Sequence, residues 1–130
     1  MAIKDLKKLL KKMEPKLAKG EFVFCSVSEK KMRALELKSV LEFKEKEGVT
    51  LVLEKKTADA NALEYSGVWA LITLSVYSDL NAVGLLAKVT GALARAGIPA
   101  NLVSAYHHDH VFVPRAKAKK ALKALEVLSQ

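Results

Sequence analysis

The chain has 130 residues, 51% of them hydrophobic, with 22 Lys and Arg against 14 Asp and Glu for a formal net charge of +8. This suffices for one compact body, or two small fused units, without metal or disulfide support, and the single cysteine, Cys25, excludes a disulfide framework. No uncharged apolar stretch approaches the roughly 18 residues of a membrane span, and Met1-Ala2-Ile3 leads straight into alternating lysines and leucines without the apolar core of a secretion signal, so a cytoplasmic location is expected.

Ile3, Leu6, Leu9, Leu10 and Met13 recur at helical spacing with Lys4, Lys7, Lys8, Lys11 and Lys12 on the other side, which predicts an opening amphipathic helix bounded by Pro15 and Gly20. Residues 21–27 are aromatic and β-branched enough for a strand, with Cys25 as a small buried hydrophobe inside it. Residues 40–43 and 49–53 read as a hairpin turning near Glu47-Gly48, and a short helix is expected over 57–63.

The second half is clearer. Residues 68–77 form a strand, residues 78–83 a polar loop leading to Gly84, and Leu85, Leu86, Val89, Ala92, Leu93 and Ala96 the buried stripe of a helix that ends at a left-handed Gly97. Strands over 100–106 and 111–113 follow, joined at 107–110. Pro114 then opens a last helix with Ala118, Ala121, Leu122, Leu125 and Leu128 inward and Lys117, Lys119, Lys120 and Lys123 toward water. The order predicts an α+β fold, an antiparallel sheet with helices on one face.

The two halves read as one unit written twice, residues 1–65 and 66–130. Gly48-Val49-Thr50-Leu51-Val52-Leu53-Glu54 before a helix parallels Asp109-His110-Val111-Phe112-Val113-Pro114-Arg115 before a helix, and residues 22–27 parallel 70–76. The first copy is incomplete, since residues 28–38 are about half as long as the loop and helix of the second. The added amino-terminal helix is expected to cover the sheet face left bare.

The second half resembles the ACT domains, effector-sensing modules attached to aspartate kinases and other amino-acid biosynthetic enzymes. The match rests on the strand 70–76, Asp79, Gly84-Leu85-Leu86, Gly97-Ile98 and Asn101. The run Ser104-Ala105-Tyr106-His107-His108-Asp109-His110-Val111-Phe112-Val113-Pro114 is similar to the ACT domains of cytosolic arginine sensors and to small bacterial tandem ACT-like proteins. The usual Asp-x-Pro-Gly turn is lengthened by Leu80-Asn81-Ala82-Val83, and no catalytic domain is joined to it in this sequence. The resemblance implies two ferredoxin-like (βαββαβ-type) units and a homodimer. It also implies a regulatory protein that binds a small molecule, an amino acid first of all, has no catalytic activity or cofactor, and serves a regulated protein partner. Its ligand residues would be Asp79, Val83, Gly84, Leu85, Asn101, Ala105, Tyr106 and Asp109.

Physical chemistry favours part of that set independently. Backbone N–H groups near Val83, Gly84 and Leu85, at the positive end of a helix, suit a carboxylate, although glycine at a helix start is also a common cap. Asp109 is either the anion for a ligand's ammonium group or a turn aspartate bonded to its local backbone. Tyr106 either packs on the ligand or belongs to the sheet. His107, His108 and His110 with Asp109 are competent metal ligands by type, but neighbours on an extended hairpin point opposite ways, so no metal is expected. Ser104, His107 and Asp109 are too close along the chain for a nucleophilic relay. Only three of the cations are Arg, and the lysines fall on solvent sides, so a solvated surface is expected over a nucleic-acid or membrane partner. A basic nucleic-acid-binding or protein-interaction adaptor is the alternative.

Overall fold

A computed structural model describes residues 2–130. Contacts divide it into two compact bodies, one made of the segment up to Lys19 together with Ala70–Gln130, the other of Gly20–Trp69. The amino-terminal segment therefore shares a body with the carboxy-terminal half.

In the larger body, Asp5 caps α1 (Leu6–Lys11) by accepting from the Lys7 amide at 3.3 Å. This helix is shorter than the one expected from Ile3 to Met13. Ile3 leaves it to form a parallel bridge with Ser78, and beyond Met13 the chain enters β1 (Pro15–Leu17), which pairs antiparallel with β5 (Trp69–Leu74). β1 was not expected, because three residues containing proline and lysine carry no strand periodicity. Leu9 and Met13 are fully buried against Ile72, Leu74, Val89 and Leu93 in the core of this body. Burial of each contributes roughly 1.5–3 kcal/mol. The expectation that α1 covers the first unit's bare sheet face is thus corrected, since its apolar stripe is spent in the other body.

The strands run β1–β5–β7–β6, with β6 (Asn101–Ser104) antiparallel to β7 (Asp109–Pro114). Ala70, Ile72 and Leu74 of β5 and Val111 and Val113 of β7 present alternate side chains to α4 (Leu85–Arg95) and α5 (Ala118–Leu128). The helices thus lie on one face of the sheet, as expected. Gly97 closes α4 in the left-handed region (φ 72°), with Ile98 N–H donating to the Leu93 carbonyl at 2.9 Å.

Two local expectations change here. The turn between the last strands lies two residues earlier than 107–110, at 105–108, because Ser104 already faces Asp109 across the ladder and Asp109 and His110 belong to β7. Pro114 ends β7 and does not open the final helix; a 3₁₀ turn, Arg115–Lys117, comes between.

The smaller body contains β2 (Phe22–Val27), α2 (Glu29–Leu35), β3 (Leu41–Lys44), β4 (Val49–Glu54) and α3 (Lys55–Ala60), with strands in the order β3–β4–β2. The hairpin turns where expected, Glu45 N–H donating to the Gly48 carbonyl at 2.8 Å. α3 starts two residues earlier than the expected Thr57. Val23, Cys25 and Val27 of β2 face Val49, Leu51 and Leu53 of β4 across the ladder and share one core with Ala58 and Leu63. Burial pushes the Cys25 thiol pKa up, which keeps the sulfur protonated. Among the described residues no helix is long and apolar enough to cross a membrane.

Candidate functional site

Between β5 and α4 the chain turns on Asp79, whose side chain accepts from the Asn81 amide at 2.8 Å and whose carbonyl accepts from Ala82 at 2.9 Å. It then reaches Gly84, the residue before α4, at φ 101°. A Cβ at Gly84 would sit 3.3 Å from a Leu6 methyl of α1. Positive φ therefore favours glycine there, and the tight approach of the Leu6 methyl adds to that preference. No side chain caps α4, so the N–H groups of Leu85, Leu86 and Ala87 have no partner from within the helix, and its positive end is open.

Asp109 opens β7 and is 4% exposed. Ser78 donates to one carboxylate oxygen at 2.8 Å and Ser104 to the other at 2.7 Å. The turn role therefore does not hold, since the carboxylate is held by hydroxyls from other positions and not by its own turn backbone. A cavity of about 170 Å³ is lined by Asp79, Gly84, Leu85, Ala87, Ser104 and Asp109 among others, so a buried carboxylate and an uncapped helix end meet in one space. A second cavity of about 200 Å³ shares Ser78, Asp79 and Leu80 with it and adds Tyr77 and Tyr106.

Of the residues expected from the sequence, Asp79, Gly84, Leu85 and Asp109 converge on the first cavity, while Tyr106, 69% exposed, lines the second. Val83 is 83% exposed and lines neither. Asn101 faces Phe112 three residues before Ser104 and reaches neither cavity. Ala105 closes the β6–β7 turn by donating to the His108 carbonyl at 3.1 Å. Ser78 and Ser104 were missed as site residues. They stand far apart in the sequence of this unit, and only the fold places both hydroxyls on Asp109.

The histidines have other partners. His110 Nδ1 shares a hydrogen bond of 2.9 Å with the Thr73 hydroxyl, His108 Nδ1 donates to the Val76 carbonyl at 3.3 Å, and the His107 ring lies 5.0 Å from Tyr106 and 5.4 Å from Tyr77. Burial lowers the His110 pKa from its ordinary value, helped by the charge of His108 and opposed by that of Asp109. Among the described residues no three His, Cys, Asp or Glu are placed to hold a metal ion.

The smaller body has a larger cavity, about 270 Å³, lined by Gly20, Glu21, Glu54, Lys55, Lys56 and Asp59. Most of its charges pair with one another: Lys55 with Asp59 at 2.8 Å and Lys56 with Glu54 at 3.3 Å, while Tyr65 also donates to Asp59 at 2.6 Å. Its size is therefore outweighed by the open donors and buried acid of the 170 Å³ cavity.

Two family models described as "ACT domain" match the chain, over residues 1–70 and 68–127. The chain belongs to the ACT-domain family. It is similar, at 44% identity over 96% of each chain and with a TM-score of 0.84, to a solved Vibrio cholerae protein of unknown function named as a possible transport protein. The regulatory subunit of aspartate kinase from Thermus flavus aligns at 11% identity over 89% of this chain and 97% of that one, with a TM-score of 0.69. Clostridium acetobutylicum aspartate kinase aligns at 15% identity, over 89% of this chain and 34% of that one, with a TM-score of 0.71. At those identities the two kinase structures show the shared fold. Comparison with curated proteins found no match. ACT-domain membership supports a regulatory, ligand-binding role.

Proposed function

We propose that this ACT-domain protein is a non-catalytic sensor of a free amino acid, bound in the 170 Å³ cavity of the larger body. One observation carries the reading: the uncapped first turn of α4 and the buried Asp109 carboxylate line the same cavity. A free α-amino acid carries a carboxylate and an ammonium group a few ångströms apart, the complement of donors at Leu85–Ala87 and an acceptor at Asp109. Two hydroxyls already hold Asp109 in place, so its orientation costs the ligand little. Asp79 and Gly84 shape the loop, and Tyr77 and Tyr106 offer an aromatic wall for a side chain that extends into the adjoining cavity.

Ser104 donates to Asp109, and the His107 ring packs beside two tyrosines. The reading includes a cytoplasmic location, a homodimer, a regulated protein partner and a duplication with its boundary near residues 65 and 66.

A thermal-shift screen of the twenty amino acids and related metabolites tests it. A ligand at about 100 times its dissociation constant adds roughly 2.7 kcal/mol, a shift of several degrees. A flat response to the whole panel at millimolar concentrations would remove the amino-acid assignment. Light scattering of the same samples that shows only a 14.2 kDa species would remove the dimer.

A further inference from the structure

The fold separates the chain's charges. Residues 20–69 carry eight Lys and Arg against nine Asp and Glu, whereas the remainder carries fourteen against five. Every ion pair among the described residues falls within 20–69: Arg33 and Lys44 with Glu29, Lys55 with Asp59, and Lys56 with Glu54. The whole positive excess thus belongs to the larger body, where none of the described cations is ion-paired. Of its five acids, Asp109 is buried and Asp79 half-buried, which removes them from the surface balance.

Those cations are not scattered. α4 packs against both α1 and α5, and all three bury their apolar stripes in one core, so their outward sides form one layer. Exposed on it or at its ends are Lys7, Lys8 and Lys11 of α1, Lys88 and Arg95 of α4, and Lys119, Lys120 and Lys123 of α5, flanked by Lys4, Lys12, Arg115 and Lys117. Asp5 and Glu126 are the acids of these segments.

We propose that this three-helix face binds the phosphate backbone of a nucleic acid without reading its sequence. Read from sequence alone, each lysine run is a solvating helix face; once folded, the runs combine into one unneutralised surface. Its composition selects among anionic partners. A protein-interaction surface has an apolar, aromatic core and is depleted in Lys, whereas the one large exposed apolar side chain on these helices is Val127. A membrane-lying helix needs a free apolar face, and those of α1, α4 and α5 are already buried. Lysine point charges on a surface without anchors suit regularly spaced phosphates, where affinity comes from counterion release. α4 and α5 each run 11 residues, about 16 Å, which spans roughly five phosphates along one strand. The face is independent of the amino-acid cavity and does not rest on that assignment.

Fluorescence anisotropy of a labelled mixed-sequence duplex, as DNA and as RNA, titrated with the full chain tests the proposal. The expected dissociation constant lies around 10⁻⁴ to 10⁻⁶ M at physiological salt, tightens steeply on dilution to about 50 mM, and does not depend on sequence. Lys7→Glu with Lys8→Glu and Lys11→Glu, or Lys119→Glu with Lys120→Glu and Lys123→Glu, should weaken binding at least about tenfold and flatten the log-log salt slope by about 0.9 for each phosphate no longer neutralised. Lys30→Glu with Lys31→Glu and Lys46→Glu, in the smaller body, should leave binding unchanged. Circular dichroism and melting confirm that each variant is folded. No binding at about 50 mM salt overturns the proposal, as does equal loss in the smaller-body variant. Equal or tighter binding to polyglutamate or to phosphatidylserine vesicles overturns it in favour of an acidic protein or a membrane.

Discussion

The helix that follows β2 in the smaller body and the one that follows β5 in the larger begin in opposite ways. In the smaller body β2 ends at Val27 and Ser28 caps α2 at once, its hydroxyl accepting from the Lys31 amide at 3.1 Å. In the larger body β5 ends at Leu74, ten residues pass, and α4 starts at Leu85 with no side-chain cap. A capped end satisfies part of its orphan donors internally; an uncapped end leaves them to solvent or to a ligand. The same strand-then-helix step thus serves two purposes: in one body it closes the structure, and in the other it keeps an anion-receptive end beside a buried acid. The charge balance divides along the same line, with the ion pairs among the described residues in the smaller body and the positive excess in the larger.

The largest expected effect falls on Asp109. A hydrogen bond to a charged group is worth about 1.5–3 kcal/mol, so Asp109→Ala should weaken the amino acid found in the screen about 10- to 150-fold by calorimetry. It also strips the Ser78 and Ser104 hydroxyls of their acceptor, so the melting temperature should fall. Asp109→Asn keeps a carbonyl oxygen for one hydroxyl and should recover part of the melting temperature but not the affinity. Wild-type affinity in both variants would mean that the acid has a purely structural role and that the contrast between the two bodies has no bearing on binding.

The smaller body should respond in the reverse way. Ser28→Ala removes the α2 cap and should cost about 1 kcal/mol of stability, measured by urea unfolding, with ligand affinity unchanged. A change in affinity comparable to that of Asp109→Ala would erase the division of labour.

A smaller effect concerns pH and a histidine of the larger body. His110 has its pKa lowered in the folded chain, chiefly by burial, so below its ordinary value near 6.5 the unfolded chain takes up a proton that the folded chain resists. Its contribution is constant above about 6.5 and is lost as pH falls from there through the folded pKa. The melting temperature should decline over that window, and His110→Gln, which removes the titrating group beside Thr73, should flatten the decline. An unchanged slope in the variant would show that other groups set the acid response.

Much of this architecture was legible in the residues. The stripe from Leu85 to Ala96 with Gly97 behind it specified α4 and its end, because helical periodicity and a left-handed cap are local properties. The hairpin around Gly48 was legible for the same reason. Gly84 was legible as a special position but not for its full cause, since the Leu6 methyl against it comes from the far end of the chain. β1 was invisible because its strand character comes from pairing with β5 and not from its own three residues.

By itself the sequence determined the α+β class, the two-unit plan and the core stripes of α4 and α5. Each follows from spacing along the chain or from a motif it carries. Only the tertiary structure decided that α1 belongs to the carboxy-terminal body, that Ser78 and Ser104 hold a buried Asp109, that Val83 and Asn101 stand away from the cavity, and that three separate lysine runs form one face. Most of these depend on residues tens of positions apart, and local periodicity carries no information on which distant faces will share a core.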